Sequence, residues 1–134
     1  MIRKKYPDKQ KAMSLIKSAK DEIDFTLKKL EVSNESSNTI VRNIYESFRM
    51  LGESLLINQG IGFIDHVNSI NELLKLDVKT ERPVYLIESL RKLRNNINYY
   101  GYKAGIEEAK DAISIANSCF DALFSKVKKT IEKN

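Results

Sequence analysis

The chain has 134 residues, a formal net charge of +5 and 42% hydrophobic residues, enough apolar content for one domain with a real core and too much for a disordered chain. Its longest apolar run falls far short of the roughly 20 residues that span a bilayer, and no apolar stretch follows the N-terminal Met-Ile-Arg-Lys-Lys-Tyr-Pro, so neither a membrane span nor a secretory leader is expected. Only 5 Gly and 2 Pro interrupt the chain, which predicts long helices rather than many short strands. The one cysteine, Cys119, forms no internal disulfide; that fits a reducing compartment, and a cytoplasmic location is expected. The positive excess gathers at the ends, at Arg3, Lys4, Lys5, Lys9 and Lys11 and again at Lys126, Lys128, Lys129 and Lys133. Such a balance permits binding to nucleic acid or an acidic partner, and lysines late in a final helix also complement its dipole.

The first helix is predicted from about Asp8 to about Val32, with Pro7 and Asp8 in its first turn. Ala12, Ile16, Ala19, Ile23, Leu27 and Leu30 make its buried stripe, and Phe25 lies off that stripe, exposed. The acidic cluster Asp21, Glu22 and Asp24 reads as a solvated face. Ser33-Asn34-Glu35-Ser36-Ser37-Asn38 is the clearest break, rich in turn and cap formers. A second helix follows from about Ser36 to Asn58, apolar at Ile40, Val41, Ile44, Tyr45, Phe48, Leu51, Leu55 and Leu56. Gly52 shares that face. Glycine inside a helix costs about 1 kcal/mol against Ala, so close approach of another helix is the expected reason for it.

Gln59-Gly60-Ile61-Gly62 ends the second helix, and a short third one carries Phe63, Val67, Ile70 and Leu74. Residues 76–82 form a charged loop, and Pro83 suits the first turn of a fourth helix. In that helix Leu86, Leu90, Leu93, Ile97 and Tyr100 step by four and three, the spacing of one buried stripe. Arg91, Arg94 and Asn98 occupy a neighbouring stripe and can converge. Gly101 can close the helix, beside Tyr99, Tyr100 and Tyr102. This grouping suits a phosphate and a stacked base, and it suits equally a polar seam between two helices. After residue 105 a fifth helix runs to about Ile131 with Ala109, Ile113, Ala116, Phe120, Leu123 and Val127 buried. The fold expected is all-α: an up-and-down four-helix bundle with a short extra helix, in one domain over 1–134.

Much familiar chemistry is missing. One His, His66, and one Cys cannot build a zinc cluster within one chain, and no Glu-x-x-His pair suggests a di-iron site. There is no phosphate-binding loop, dinucleotide fingerprint or nucleophile motif, so no cofactor and no metal are expected. His66 reads as a hydrogen-bonded, partly buried residue rather than a base.

The stretch Arg94-Asn95-Asn96-Ile97-Asn98-Tyr99-Tyr100-Gly101-Tyr102 resembles the HEPN motif, in which an Arg, commonly followed by Asn, precedes a His by four to six residues with a Tyr shortly after. The run from Arg42-Asn43 through Gly52 to Leu56, then Gly60 and Gly62 to His66, resembles the second helix of that family and the turn after it. The resemblance covers roughly residues 8 to 130. It implies a small helical bundle, often a homodimer with its motif helices facing each other across a cleft. Many HEPN proteins are metal-independent ribonucleases, some of them toxins; others are non-catalytic partners of a small nucleotidyltransferase encoded beside them.

This chain departs from the family at one point: Tyr99, Tyr100 and Gly101 stand where the His would lie. A phenol with an ordinary pKa of about 10 is a poor base at pH 7. Arg94 retains the means to hold a phosphate bidentately, with Arg91, Asn95 and Asn98 to position it, and Tyr99, Tyr100 or Tyr102 to stack on a base or bond a ribose. The expectation is a HEPN-like binding or regulatory domain for RNA, a nucleotide or a nucleotidyltransferase partner. One alternative is a divergent metal-independent ribonuclease in which Arg94 and a tyrosine such as Tyr99 do the work. The other is a purely structural bundle with Arg94 and Asn98 in a seam.

Overall fold

The computed structural model describes residues 3–4, 6–62 and 66–133. Its helices are α1 (Lys9–Lys29), α2 (Ser37–Asn58), α3 (His66–Leu74), α4 (Leu86–Tyr100) and α5 (Ile106–Glu132). A two-residue antiparallel pairing of β1 (Arg3–Lys4) with β2 (Ile61–Gly62) supplements them, with Arg3 opposite Gly62. The all-helical bundle expected from the periodicity is thus what the chain forms. The readings at Phe63 and at the side chains of His66 and Val67 lie outside the described residues.

Each helix starts and stops for a local reason. The Asp8 carboxylate accepts from the Lys11 N–H at 2.9 Å and caps α1. Leu30 turns extended at ψ 122°, so α1 ends three residues before the expected Val32. The turn that follows satisfies itself. Ser36 Oγ accepts from the Ser33 N–H at 2.9 Å and donates to the Glu31 carbonyl at 2.5 Å, while Ser37 Oγ donates to the Ser33 carbonyl at 2.6 Å. Gly60, at φ 76°, takes the left-handed turn that releases the chain from α2. Pro83 opens a single turn of i to i+3 bonds, from Leu86, Ile87 and Glu88 back to Pro83, Val84 and Tyr85, and α4 grows out of it.

Five long-range hydrogen bonds fix the directions. The Asp8 N–H donates to the Ile57 carbonyl at 3.3 Å, so α1 and α2 run antiparallel. Lys9 reaches the Glu132 carbonyl and Lys20 reaches Asp121, so α1 and α5 also run antiparallel. Arg42 meets Asn98 while the Ala104 N–H, beyond the end of α4, meets Asn38, so α4 runs against α2. Every other helix packs on α2, and all eight apolar positions read for it are buried. Phe48 meets Phe120 at 5.7 Å between ring centroids, and Phe120 stacks on Phe124 at 6.0 Å. Buried Thr26, Ser47 and Ser54 bond carbonyls of their own helices, which lets polar side chains sit in the core.

At Gly52 the backbone of α3 packs directly against α2. A Cβ built there would lie 1.9 Å from the Ser69 carbonyl oxygen and 2.6 Å from its carbon. The helix contact expected from a mid-helix glycine is therefore present.

Four stripes differ from the expectation: in α1, Leu27 and Leu30 are half-buried while Thr26 turns inward, and in α3, Leu73 is buried and Leu74 half-buried. In α4 the fully buried positions are Ile87, Leu90, Arg94 and Ile97; Leu86 and Leu93 flank them half-buried, and Tyr100 is 81% exposed. The helix is turned by a fraction of a turn from the all-apolar reading, because the Arg94 stem packs as a core residue. In α5, Ala112 and Ile115 take the inward place read for Ile113, which is half-buried. Phe25 is exposed at 54%, as its position off the stripe required.

Candidate functional site

Arg94 sits in the core stripe of α4 at 7% exposure. Its neighbours there are apolar, so the guanidinium needs a partner that accepts charge without leaving the interior. The Tyr45 ring on α2 provides one. The Arg94 Cζ lies 4.7 Å from the ring centroid, in the geometry of a cation over an aromatic face. Burial pushes the Tyr45 phenol above its ordinary pKa, opposed by the hydrogen bond and charge of Arg94 and, more weakly, by Arg91 and Arg49. Tyr45 is therefore neutral across the physiological range.

One turn further along α4, Asn98 is exposed, and its Oδ1 accepts from Arg42 Nε at 2.8 Å. Arg42 is itself exposed and, among the described residues, makes no ion pair. These groups border a cleft of 230 Å³ over α2, open between α1 and α4. Its other walls are Glu22 of α1 and Asn43 and Glu46 of α2. Two guanidinium groups, two carboxylates, two amides and a phenol thus share one small cavity. Glu46 is already engaged, since it and Glu53 (2.6 Å) clamp the half-buried Arg49. The hydrogen bond to Glu46 comes first among the causes that hold the Arg49 guanidinium above its usual pKa.

The remaining residues singled out in the sequence fall elsewhere. Arg91 pairs with Glu88 through Nε at 2.9 Å and a terminal nitrogen at 2.5 Å, which raises its pKa, and it does not line the cleft. Asn95 is half-buried and also off the lining. Tyr99 and Tyr100 are exposed at the C-terminal end of α4 at 69% and 81%. Tyr102 donates to Glu108 Oε1 at 2.7 Å, and that bond raises its pKa. The same carboxylate accepts from the Gly105 N–H at 3.0 Å at the start of α5. Gly101, in the left-handed region at φ 69°, and Tyr102 both donate their N–H groups to the Asn96 carbonyl, which closes the helix. The structure therefore brings together Arg94 and Asn98 of the sequence-derived set, places the tyrosines on an adjacent exposed ledge, and leaves Arg91 in a local ion pair.

Nothing in the residue spacing points to Arg42, Asn43, Tyr45, Glu46 or Glu22 as site residues. All five come from α1 and α2, and only packing delivers them to α4. Among the described residues no group of three or more His, Cys, Asp or Glu stands ready to hold a metal ion. No helix of the described residues is long and apolar enough to cross a membrane. The groups in the cleft are complementary to several ligand chemistries. The guanidinium forks suit a phosphate or carboxylate, the amides can donate or accept, and the carboxylates suit hydroxyl or amino donors. Comparison with protein-family models, with curated proteins and with solved structures finds no match.

Proposed function

We propose that the cleft between α1 and α4 binds a phosphate group of RNA or of a nucleotide, and that the chain is a HEPN-like binding or regulatory domain rather than a ribonuclease. The observation that carries this reading is the convergence of Arg42, Arg94 and Asn98 on one cavity beside Tyr45. In it the phosphate lies against the two guanidinium groups, and a ribose hydroxyl donates to Glu22, whose carboxylate would repel a second phosphate placed there. Tyr99 and Tyr100, exposed at the end of α4, offer stacking faces for a flanking base. Homodimerisation and pairing with a nucleotidyltransferase belong to the same proposal and rest on the family resemblance of the Arg94–Tyr102 and Arg42–His66 stretches. Among the described residues the lining holds no histidine to move a proton as the family's motif histidine does, which supports binding without turnover.

The test is a titration of fluorescent single-stranded RNA in EDTA, at several salt concentrations, with Arg42→Ala and Arg94→Met beside the wild type. Binding that weakens with salt and in both variants, with the RNA intact on a gel, is the expected result. Wild-type affinity in both variants refutes the site. Cleavage by the wild type that disappears in Arg94→Met establishes instead a divergent ribonuclease. The low exposure of Arg94 favours a second reading, in which Arg94 and Asn98 form a structural seam; that reading requires RNA binding to be absent while Arg94→Met alters unfolding.

A further inference from the structure

On the opposite side of α1 from the cleft's Glu22, α1 and α5 leave a groove of 430 Å³ between them. Its floor is apolar: Met13 and Ile16 come from α1, and Phe124 from α5 lies stacked on the buried Phe120. Its polar rim is of one sign. Lys17 and Lys20 stand on the α1 side and Lys128 on the α5 side, and no carboxylate lines the groove. Lys17 is paired with Asp21, and Lys20 with Asp24 and Asp121, at or outside the groove's margin. Exposed pairs of this kind are worth little and exchange readily for an equivalent carboxylate. Lys128 is exposed and, among the described residues, makes no ion pair. The groove follows residues 10 to 20 of α1, a length of about 15 Å at about 1.5 Å per residue, or roughly three helical turns. That length accepts an i, i+4, i+7 row of apolar side chains from one docked helix.

We infer that this groove docks an acidic amphipathic helix of a partner protein, with its apolar row on Met13, Ile16 and Phe124 and its carboxylates meeting Lys17, Lys20 and Lys128. The site is separate from the cleft over α2 and does not depend on what that cleft binds. An acidic face is what the rim selects. A basic helix with the same apolar row would place like charge against Lys128, which has no carboxylate partner among the described residues to offset it, whereas an acidic helix gains that pairing.

The experiment uses the full chain and a fluorescent 14-residue helical peptide with leucines at i, i+4 and i+7 flanked by glutamates, beside a twin in which every glutamate is lysine. Fluorescence anisotropy is expected to show saturable binding of the acidic peptide and none of the twin. Lys128→Glu should weaken binding about five- to tenfold, the worth of turning one exposed attraction into a repulsion. Lys92→Glu, an exposed change of the same charge on α4, should leave it within about twofold, which separates the groove from the general +5 charge. Equal binding of the twins, equal loss in the two charge variants, or no saturable binding overturns the inference. So does competition by laurate that displaces the peptide completely, because the groove would then be a site for a single-chain anionic amphiphile.

Discussion

Replacing Gly52 by alanine sets two effects of opposite sign against each other, and the structure decides between them. On helix propensity alone the change stabilises α2 by about 1 kcal/mol, since the position is the interior of a 22-residue helix. The new methyl, however, would sit 1.9 Å from the Ser69 carbonyl oxygen. That atom is backbone, so no rotamer change relieves the clash; α3 as a whole must retreat by more than an ångström. Overpacking of this kind costs about 1–3 kcal/mol, and a backbone obstacle puts Gly52→Ala at the upper end. The net expectation is a loss of about 2 kcal/mol. At about 4 °C per kcal/mol for a domain of this length, the midpoint of thermal unfolding falls by about 8 °C. Circular dichroism at 222 nm and urea titration of both proteins measure it. An unchanged or raised midpoint would mean that α3 does not rest against Gly52, and the reason offered for that glycine would be wrong.

Asn38→Ala removes the acceptor of the buried Ala104 N–H, a bond of 2.8 Å, and should cost about 1–3 kcal/mol in urea unfolding, with faster hydrogen exchange at Ala104. Arg94→Ala loses the stacked guanidinium and the packing of its stem and should cost about 2 kcal/mol by the same assay, while Arg42→Ala at the exposed rim should be near neutral. Cys119 is fully buried and burial raises its thiol pKa, so Ellman's reagent should modify it only in denaturant; modification of the native protein at the rate of a free thiol would contradict that burial. The raised Tyr45 pKa predicts an alkaline limit. Because the folded state keeps the proton above pH 10 while the unfolded chain releases it, this contribution to stability is intact below about pH 10 and is lost as pH rises through the folded value. Tyr45→Phe should flatten that alkaline decline in a pH series of unfolding midpoints.

How much of this could be read from the residues depended on whether the deciding contact was local. The α2 stripe is a run of apolar side chains repeating at helical spacing, and all eight positions read from it are inside. Gly52 announced a close neighbour because nothing else justifies its cost in a helix. The α4 stripe was misplaced because Leu86, Leu93 and Tyr100 make a better apolar row than one containing an arginine. The inward row becomes favourable only once the Tyr45 ring, 49 residues away in the chain, lies under the Arg94 guanidinium. The cleft has the same character. Arg94 and Asn98 stand out by their spacing on one helix, whereas no spacing links Glu22, Arg42 and Glu46 to them, and these reach the cavity only through the packing of α1 and α2.

The contacts between α2 and α4 form an antiparallel ladder. Asn38, Arg42 and Tyr45 on successive turns meet Ala104, Asn98 and Arg94 in descending order. Each rung is a particular chemical pair rather than interchangeable apolar surface. Inserting or deleting one residue in α2 between 38 and 45 would rotate everything beyond it by about 100° and break the rungs on one side together. In a lineage of such chains, side chains in the core could drift while this segment kept a constant length. Gains and losses of residues would collect instead in the connection from α3 to α4 ahead of Arg82, whose N–H and guanidinium are held to α5 by Ser118 and Asp111.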